Sequence, residues 1–195
     1  MTYTTKLGAL LLVLLLSACG QHVKPISIKN PVLSEDSRRL LADNEDAVSI
    51  RRAARDDARR ALATRRGQSE NLLERDWPSG APIAKLEALE AAREQMAELR
   101  LEHAQAELDL AIAKYEFTTA QTAMRHDIAV YDLEPLRLAQ EEARKRTDEL
   151  FRKVDNQRRE IDKLESTWWQ AYAEFVKGGG SSQTFFLSEG AASTR

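Results

Sequence analysis

The sequence predicts an all-α protein, an elongated antiparallel three-helix bundle or coiled coil. Three observations point there. Apolar and small residues recur in steps of three and four over long stretches. The composition carries 31% charged and only 6% aromatic residues, with Ala, Glu, Arg and Leu dominant, as long helices require. Three such stretches of similar length are set apart by short Pro-containing breaks.

The central stretch, Ala84 to Tyr131, contains no Gly or Pro. One seam runs through Leu89, Ala92, Met96, Leu99, His103, Ala106, Leu110, Ala113, Phe117, Ala120, Met124 and Tyr131. Asp127 breaks the register, and His103 breaks it in part. A second seam runs through Leu101, Ala104, Leu108, Ala111, Tyr115, Thr118 and Thr122. At about 3.5 residues per turn the two seams lie roughly 150° apart. A helix apolar on two faces needs a neighbour on each side.

The first helix is expected over 34–75. Ser34 is a good N-cap, with Glu35 and Asp36 in the first turn where the helix dipole favours acids. Its apolar positions are mostly Ala47, Ala54, Ala58 and Ala61, with Leu40, Leu41, Val48 and Leu62. Gly67 costs it about 1 kcal/mol relative to Ala. The run Trp77-Pro78-Ser79-Gly80-Ala81-Pro82 then stops the helix and reverses the chain. The second helix is expected over 83–130. Pro135 disfavours a helical Glu134, and Asp132 can cap the third helix. That helix is expected over 135–177. It holds one frame through Ala139, Ala143, Thr147, Leu150, Val154, Gln157, Ile161, Leu164, Trp168, Ala171 and Phe175, and it stops at Gly178-Gly179-Gly180. Residues 178–195 read as a flexible Gly/Ser-rich tail. Helices of about 42, 48 and 42 residues would each be roughly 63–72 Å long.

Charge gives an independent check on the topology. Between Ile50 and Arg66, seven Arg stand against two Asp. Between Ile83 and Phe117, eight acids stand against four bases. Folding the first hairpin about Ser79 sets these stretches side by side, and predicts pairing of Arg59, Arg60 and Arg65 with Glu94, Glu98 and Glu102. Exposed pairs contribute only a few tenths of a kcal/mol, so they select register rather than supply stability. The alternative topology treats Pro135 as a kink, which would merge the last two helices into one rod of nearly 95 residues needing a second chain.

Ahead of the helices lies a targeting segment. Lys6 supplies positive charge and Leu7 to Leu16 form an apolar run too short to span a bilayer, which reads as a signal peptide over 1–18. Cys19 is the sole cysteine, so no intramolecular disulfide can form. Leu16-Ser17-Ala18-Cys19-Gly20 resembles the lipobox of bacterial lipoproteins. The resemblance implies cleavage before Cys19, acylation of Cys19, and an outer-membrane address, since Gly20 is not Asp. Two or more acyl chains hold a protein stably to a membrane. Residues 19–33 are aperiodic, broken by Pro25 and Pro31 and solvated by Lys24 and Lys29, and read as a lipidated N-terminus and flexible tether.

Candidates for chemistry are few. His103 and His126-Asp127 lack the spacing that would converge several metal ligands on one face. The carboxylates are spread along solvated faces, and no Gly-rich phosphate loop or nucleophile elbow occurs. The sequence therefore predicts no enzyme, no metal and no cofactor beyond the covalent lipid. The Arg-rich stretch fits a polyanion, but in an exported chain of net charge −2 an internal partner or an anionic envelope surface fits better than nucleic acid.

The aromatics Trp77, Trp168, Trp169, Tyr172 and Phe175 gather at one end of the expected bundle, the membrane-distal one if the first helix leaves the membrane. They fill the end of the core or, with Phe185, Phe186 and Leu187 on the tail, form a docking surface for another envelope protein. Trp168 and Trp169 point about 100° apart, so one seam cannot bury both. The helical part is similar in composition to the hairpins of periplasmic adaptors of efflux and secretion systems. The resulting expectation is a membrane-anchored, non-enzymatic spacer or adaptor on the periplasmic side of the outer membrane. Alternatives are an accessory subunit of a transport or secretion machine and a holdase-like chaperone. A homo-oligomer would cover the second seam.

Overall fold

The computed structural model describes residues 23–180, which fold into three helices. Helix α1 spans Glu35–Leu73, α2 Ile83–Arg125 and α3 Leu133–Lys177. No strand occurs among the described residues. The chain divides into two compact units, one joining the chain up to Asp56 with His103–Leu150, the other joining Asp57–Glu102 with the chain from Phe151. All three helices contribute to each unit.

Local chemistry sets the helix ends. Ser34 caps α1, its hydroxyl accepting the Ser37 backbone N–H at 3.2 Å, which satisfies one of the orphan donors of the first turn. The helix runs through Gly67 and ends at Leu73. The reversal between α1 and α2 uses Gly80 at φ +84°, with the Ala81 N–H donating to the Pro78 carbonyl at 3.1 Å, the pattern of a turn that needs a positive φ at its third residue.

Helix α2 ends five residues before the expected 130. Asp127 takes φ +53°, the Ile128 N–H reaches back to the Ala123 carbonyl and the Asp127 N–H to that of Met124. This is a Schellman closure with Asp where Gly is usual, and it falls on the residue that breaks the sequence register. Helix α3 begins at Leu133, two residues before the expected 135. Asp132 caps it by accepting the Glu134 N–H at 3.1 Å. Pro135 thus occupies the first turn, where its missing N–H would have no intrahelical partner, and Glu134 is helical despite the proline. At the far end Gly179 takes φ +92°, and the Gly180 N–H bonds the Phe175 carbonyl at 3.0 Å, the same closure with Gly in place.

In the first unit the helices run antiparallel. Ser37 of α1 meets His126 of α2 at 2.9 Å, and Arg51 meets Glu107 at 3.0 Å. Arg146 of α3 lies 3.8 Å from Asp109 of α2; in a continuous helix residues 37 apart would be separated by about 55 Å. The chain therefore turns before Pro135 and the single-rod topology is set aside. Ala104, Leu108, Ala111 and Thr122 of the second seam are buried, as are Ala106 and Ala120 of the first, so α2 is covered on two sides here.

Residues 23–33 correct the tether expectation. They are not helical, but Val23 and Leu33 are buried. Val23 packs with Ala120 and Leu136, flanked by Phe117, Tyr131 and Leu133. The Lys24 N–H donates to the Tyr131 hydroxyl at 3.3 Å. Aperiodicity and prolines exclude a helix, but they do not stop two apolar side chains from finding a groove.

In the second unit the core is larger. Leu86, Leu89, Trp168 and Tyr172 are buried together, with Leu72, Leu73, Trp77, Ile161, Leu164, Phe175 and Val176 around them. Here too the faces of α2 carry neighbours on both sides: Arg66 of α1 reaches Glu94 and Glu98, while the Gln157 amide of α3 donates to the Ala92 carbonyl at 3.0 Å.

Candidate functional site

The most constrained polar cluster lies in the second unit, on a residue the periodicity did not single out. Glu90 is completely buried. One carboxylate oxygen accepts Nη2 of Arg65 from α1, and the other accepts Nη1 of Arg93, one turn along α2, at 2.9 Å. Arg93 extends its other nitrogen to Glu165 of α3 at 3.3 Å. A single carboxylate is thus bonded to two guanidiniums and linked to all three helices. Burying a charge is costly unless it is paired and hydrogen-bonded, and this geometry meets both conditions. The sequence signal was available: Glu90 stands beside Leu89 on the apolar arc of α2, and an acid there calls for a cation from a neighbouring helix.

The other predicted pairings are met in part. Arg65 pairs with Glu90 rather than with Glu94, Glu98 or Glu102, and Glu94 and Glu98 are taken by Arg66. Arg60 bonds Asp57 on its own helix. Among the described residues no ion pair joins Arg59 or Glu102. The hairpin register is as expected, but individual long side chains choose partners by the helix face they occupy. Glu94 and Glu98 hydrogen-bond Arg66 and hold its guanidinium more firmly protonated than usual.

The aromatic cluster sits in the same unit. Trp168 is 1% exposed and stacks on Tyr172, with centroids 5.2 Å apart and planes 11° apart. Trp77 is half-buried against the same cluster, and its indole N–H donates to the Leu72 carbonyl at 3.1 Å. Trp169 leaves the core and is 42% exposed, meeting Trp168 edge-on at 4.7 Å. This corrects the docking expectation for Trp168, whose face is consumed by the core, and reduces it for Trp77. Of the three tryptophans Trp169 alone presents a large exposed surface. Phe185, Phe186 and Leu187 lie outside the described residues, as do Leu16, Ser17, Ala18 and Cys19.

The first unit offers two shallow clefts. One of about 170 Å³ is lined by Asn44, Arg51, Glu107 and Lys114 among others, and one of about 200 Å³ by Asp109, Glu142 and Arg146 among others. Both fall below the roughly 300–1,000 Å³ of pockets that enclose small ligands. His103 is half-buried, and the His126 Nε2 is engaged by Ser37. Among the described residues no group of three His, Cys, Asp or Glu side chains is placed to hold a metal ion. Nor is any described helix long and apolar enough to cross a membrane.

Fold and site together define an all-α helical-bundle protein whose most buried charges bond one another. No protein-family model, curated protein or solved structure matches the chain.

Proposed function

We propose that this chain is a bacterial envelope lipoprotein, acylated at Cys19, that serves as a non-enzymatic spacer or adaptor on the periplasmic side of the outer membrane through protein–protein contacts. One observation carries the reading: behind Lys6, the apolar run Leu7 to Leu16 has the order of a signal peptide, and it ends in Leu16-Ser17-Ala18-Cys19-Gly20, which resembles the lipobox of bacterial lipoproteins. Supporting it, the buried Glu90 carboxylate is spent on Arg65 and Arg93, and Arg93 on Glu165, and the clefts are small. Such a body is suited to holding a partner rather than to enclosing a substrate.

Metabolic labelling with palmitate tests the reading. The full chain expressed in a Gram-negative host should take up label and fractionate with the outer membrane, and Cys19→Ser should abolish both. An unlabelled wild-type product would refute it. The adaptor role is tested by deleting 181–195 and substituting Trp169→Ala. Helicity should be unchanged while a co-purifying envelope protein is lost.

A further inference from the structure

Val23 is held in the core of the first unit. It is buried against Ala120 and Leu136, and the next residue bonds Tyr131. Between Cys19 and Val23 the backbone can span at most about 14 Å. An acyl group on Cys19 would therefore hold the end of the first unit that carries the α2–α3 turn close to the bilayer, not at the end of a long leash.

That end is apolar where solvent would meet it. Val130 in the turn is 90% exposed, with Ile128 and Met124 also exposed beside it. Ile28 and Val32, in the segment that leads into α1, are exposed as well. Two hydrogen bonds tie that segment and the start of α1 to the same region: Lys24 to Tyr131, and Ser37 to His126. Within the segment, the Arg38 guanidinium clamps the Asn30 carbonyl at 3.2 Å, so Ile28 and Val32 are carried on an ordered loop. Scattered exposed apolar residues are ordinary, but five on two adjoining segments at one end ask for a cover. The charges around them are mixed, Lys29 and Arg125 against Asp127 and Asp132, which favours neither an anionic nor a cationic surface.

We infer that Ile28, Val32, Met124, Ile128 and Val130 form a membrane-contact surface, inserting into the interfacial layer of the bilayer to which Cys19 is anchored. The inference rests on acylation of Cys19 and adds an orientation: the α2–α3 turn faces the lipid. Apolar insertion, rather than headgroup charge, supplies the contact, so it is insensitive to salt.

The test uses the full chain as expressed, reconstituted in zwitterionic phosphatidylcholine vesicles that carry a quencher in the acyl region. A fluorophore is placed on Val130→Cys or, for comparison, on Ile50→Cys, an exposed α1 position of the same unit about 22 Å along the helix from its start. Palmitate incorporation is measured on the same samples. The expected result is quenching at 130 several-fold stronger than at 50, unchanged in molar salt, and reduced several-fold by Ile28→Asp combined with Ile128→Asp. Both positions are exposed, so the double variant should keep its helicity. Equal quenching at 130 and 50 in acylated protein would overturn the contact surface while leaving the lipoprotein reading intact. Strong quenching at 130 in protein that takes up no palmitate would uphold the surface and remove the anchor. Quenching abolished by salt would overturn apolar insertion. Energy transfer between probes at 130 on two molecules, without lipid quenching, would assign the patch to a second copy of the chain and overturn the proposal.

Discussion

Glu90→Gln is the substitution to which the second unit should respond most clearly. The carboxylate is fully buried and accepts from Arg65 and Arg93, whose side chains are 23% and 19% exposed. Each hydrogen bond to a charged group contributes about 1.5–3 kcal/mol. A glutamine keeps one acceptor but turns an amide donor toward the other guanidinium. Discounting for the partial exposure of both arginines, the loss should be about 3 kcal/mol, within the range for breaking a buried pair. In a domain of about 150 residues that lowers Tm by roughly 6–12 °C. The cost lies in the uncompensated charge, so replacing the whole cluster (Arg65→Met, Glu90→Leu, Arg93→Met) should recover most of the loss. Urea unfolding followed by Trp fluorescence and by circular dichroism would measure both variants. A Glu90→Gln loss under about 1 kcal/mol would show that water reaches the carboxylate. A triple variant no more stable than Glu90→Gln would show that the cluster contributes net stability, not merely mutual compensation.

Three further outcomes are expected. Asp127→Gly should stabilise the chain by about 0.5–1 kcal/mol, because the residue sits at φ +53°, which Gly adopts without strain; Asp127→Val should destabilise it, and chemical denaturation would show both. Trp168→Ala should cost about 3–5 kcal/mol as a core truncation, whereas Trp169→Ala should stay within about 1 kcal/mol; comparable losses from the two would contradict their different burial. The Arg137 hydrogen bonds hold the Glu134 carboxyl below its ordinary value of 4.5. The stabilisation from this pair is present above that value and fades as the pH falls through the lower folded value. In a carboxyl-resolved NMR titration, Arg137→Leu should return Glu134 toward 4.5.

The helices were legible because their signals are local. Ser34 caps by its own hydroxyl, Asp132 by its own carboxylate, and Gly179 closes α3 because no side chain opposes its φ. Asp127 was legible as a break in the register but not as a helix end, since an Asp reaches the left-handed region only when the closing hydrogen bonds reward it. The start of α3 was misplaced by two residues for a related reason. The bias against a helical residue before proline is a preference, and the Asp132 cap outweighed it. Of the site, the aromatic end and the hairpin register were visible in spacing and charge. The choice between Trp168 and Trp169 was not, because adjacent residues differ only in which face the neighbouring helices cover.

By itself, the sequence determined the all-α class, the three helices and the antiparallel sense of the first hairpin, because periodicity, caps and block charge act over a few residues or sum over many. Only the tertiary structure decided that residues 23–33 pack rather than dangle, that Arg65 belongs to Glu90, and that Arg66 takes Glu94 and Glu98. Those outcomes depend on the rotation of one helix against another. A shift of a single residue turns a side chain by about 100°, enough to exchange a buried partner for water.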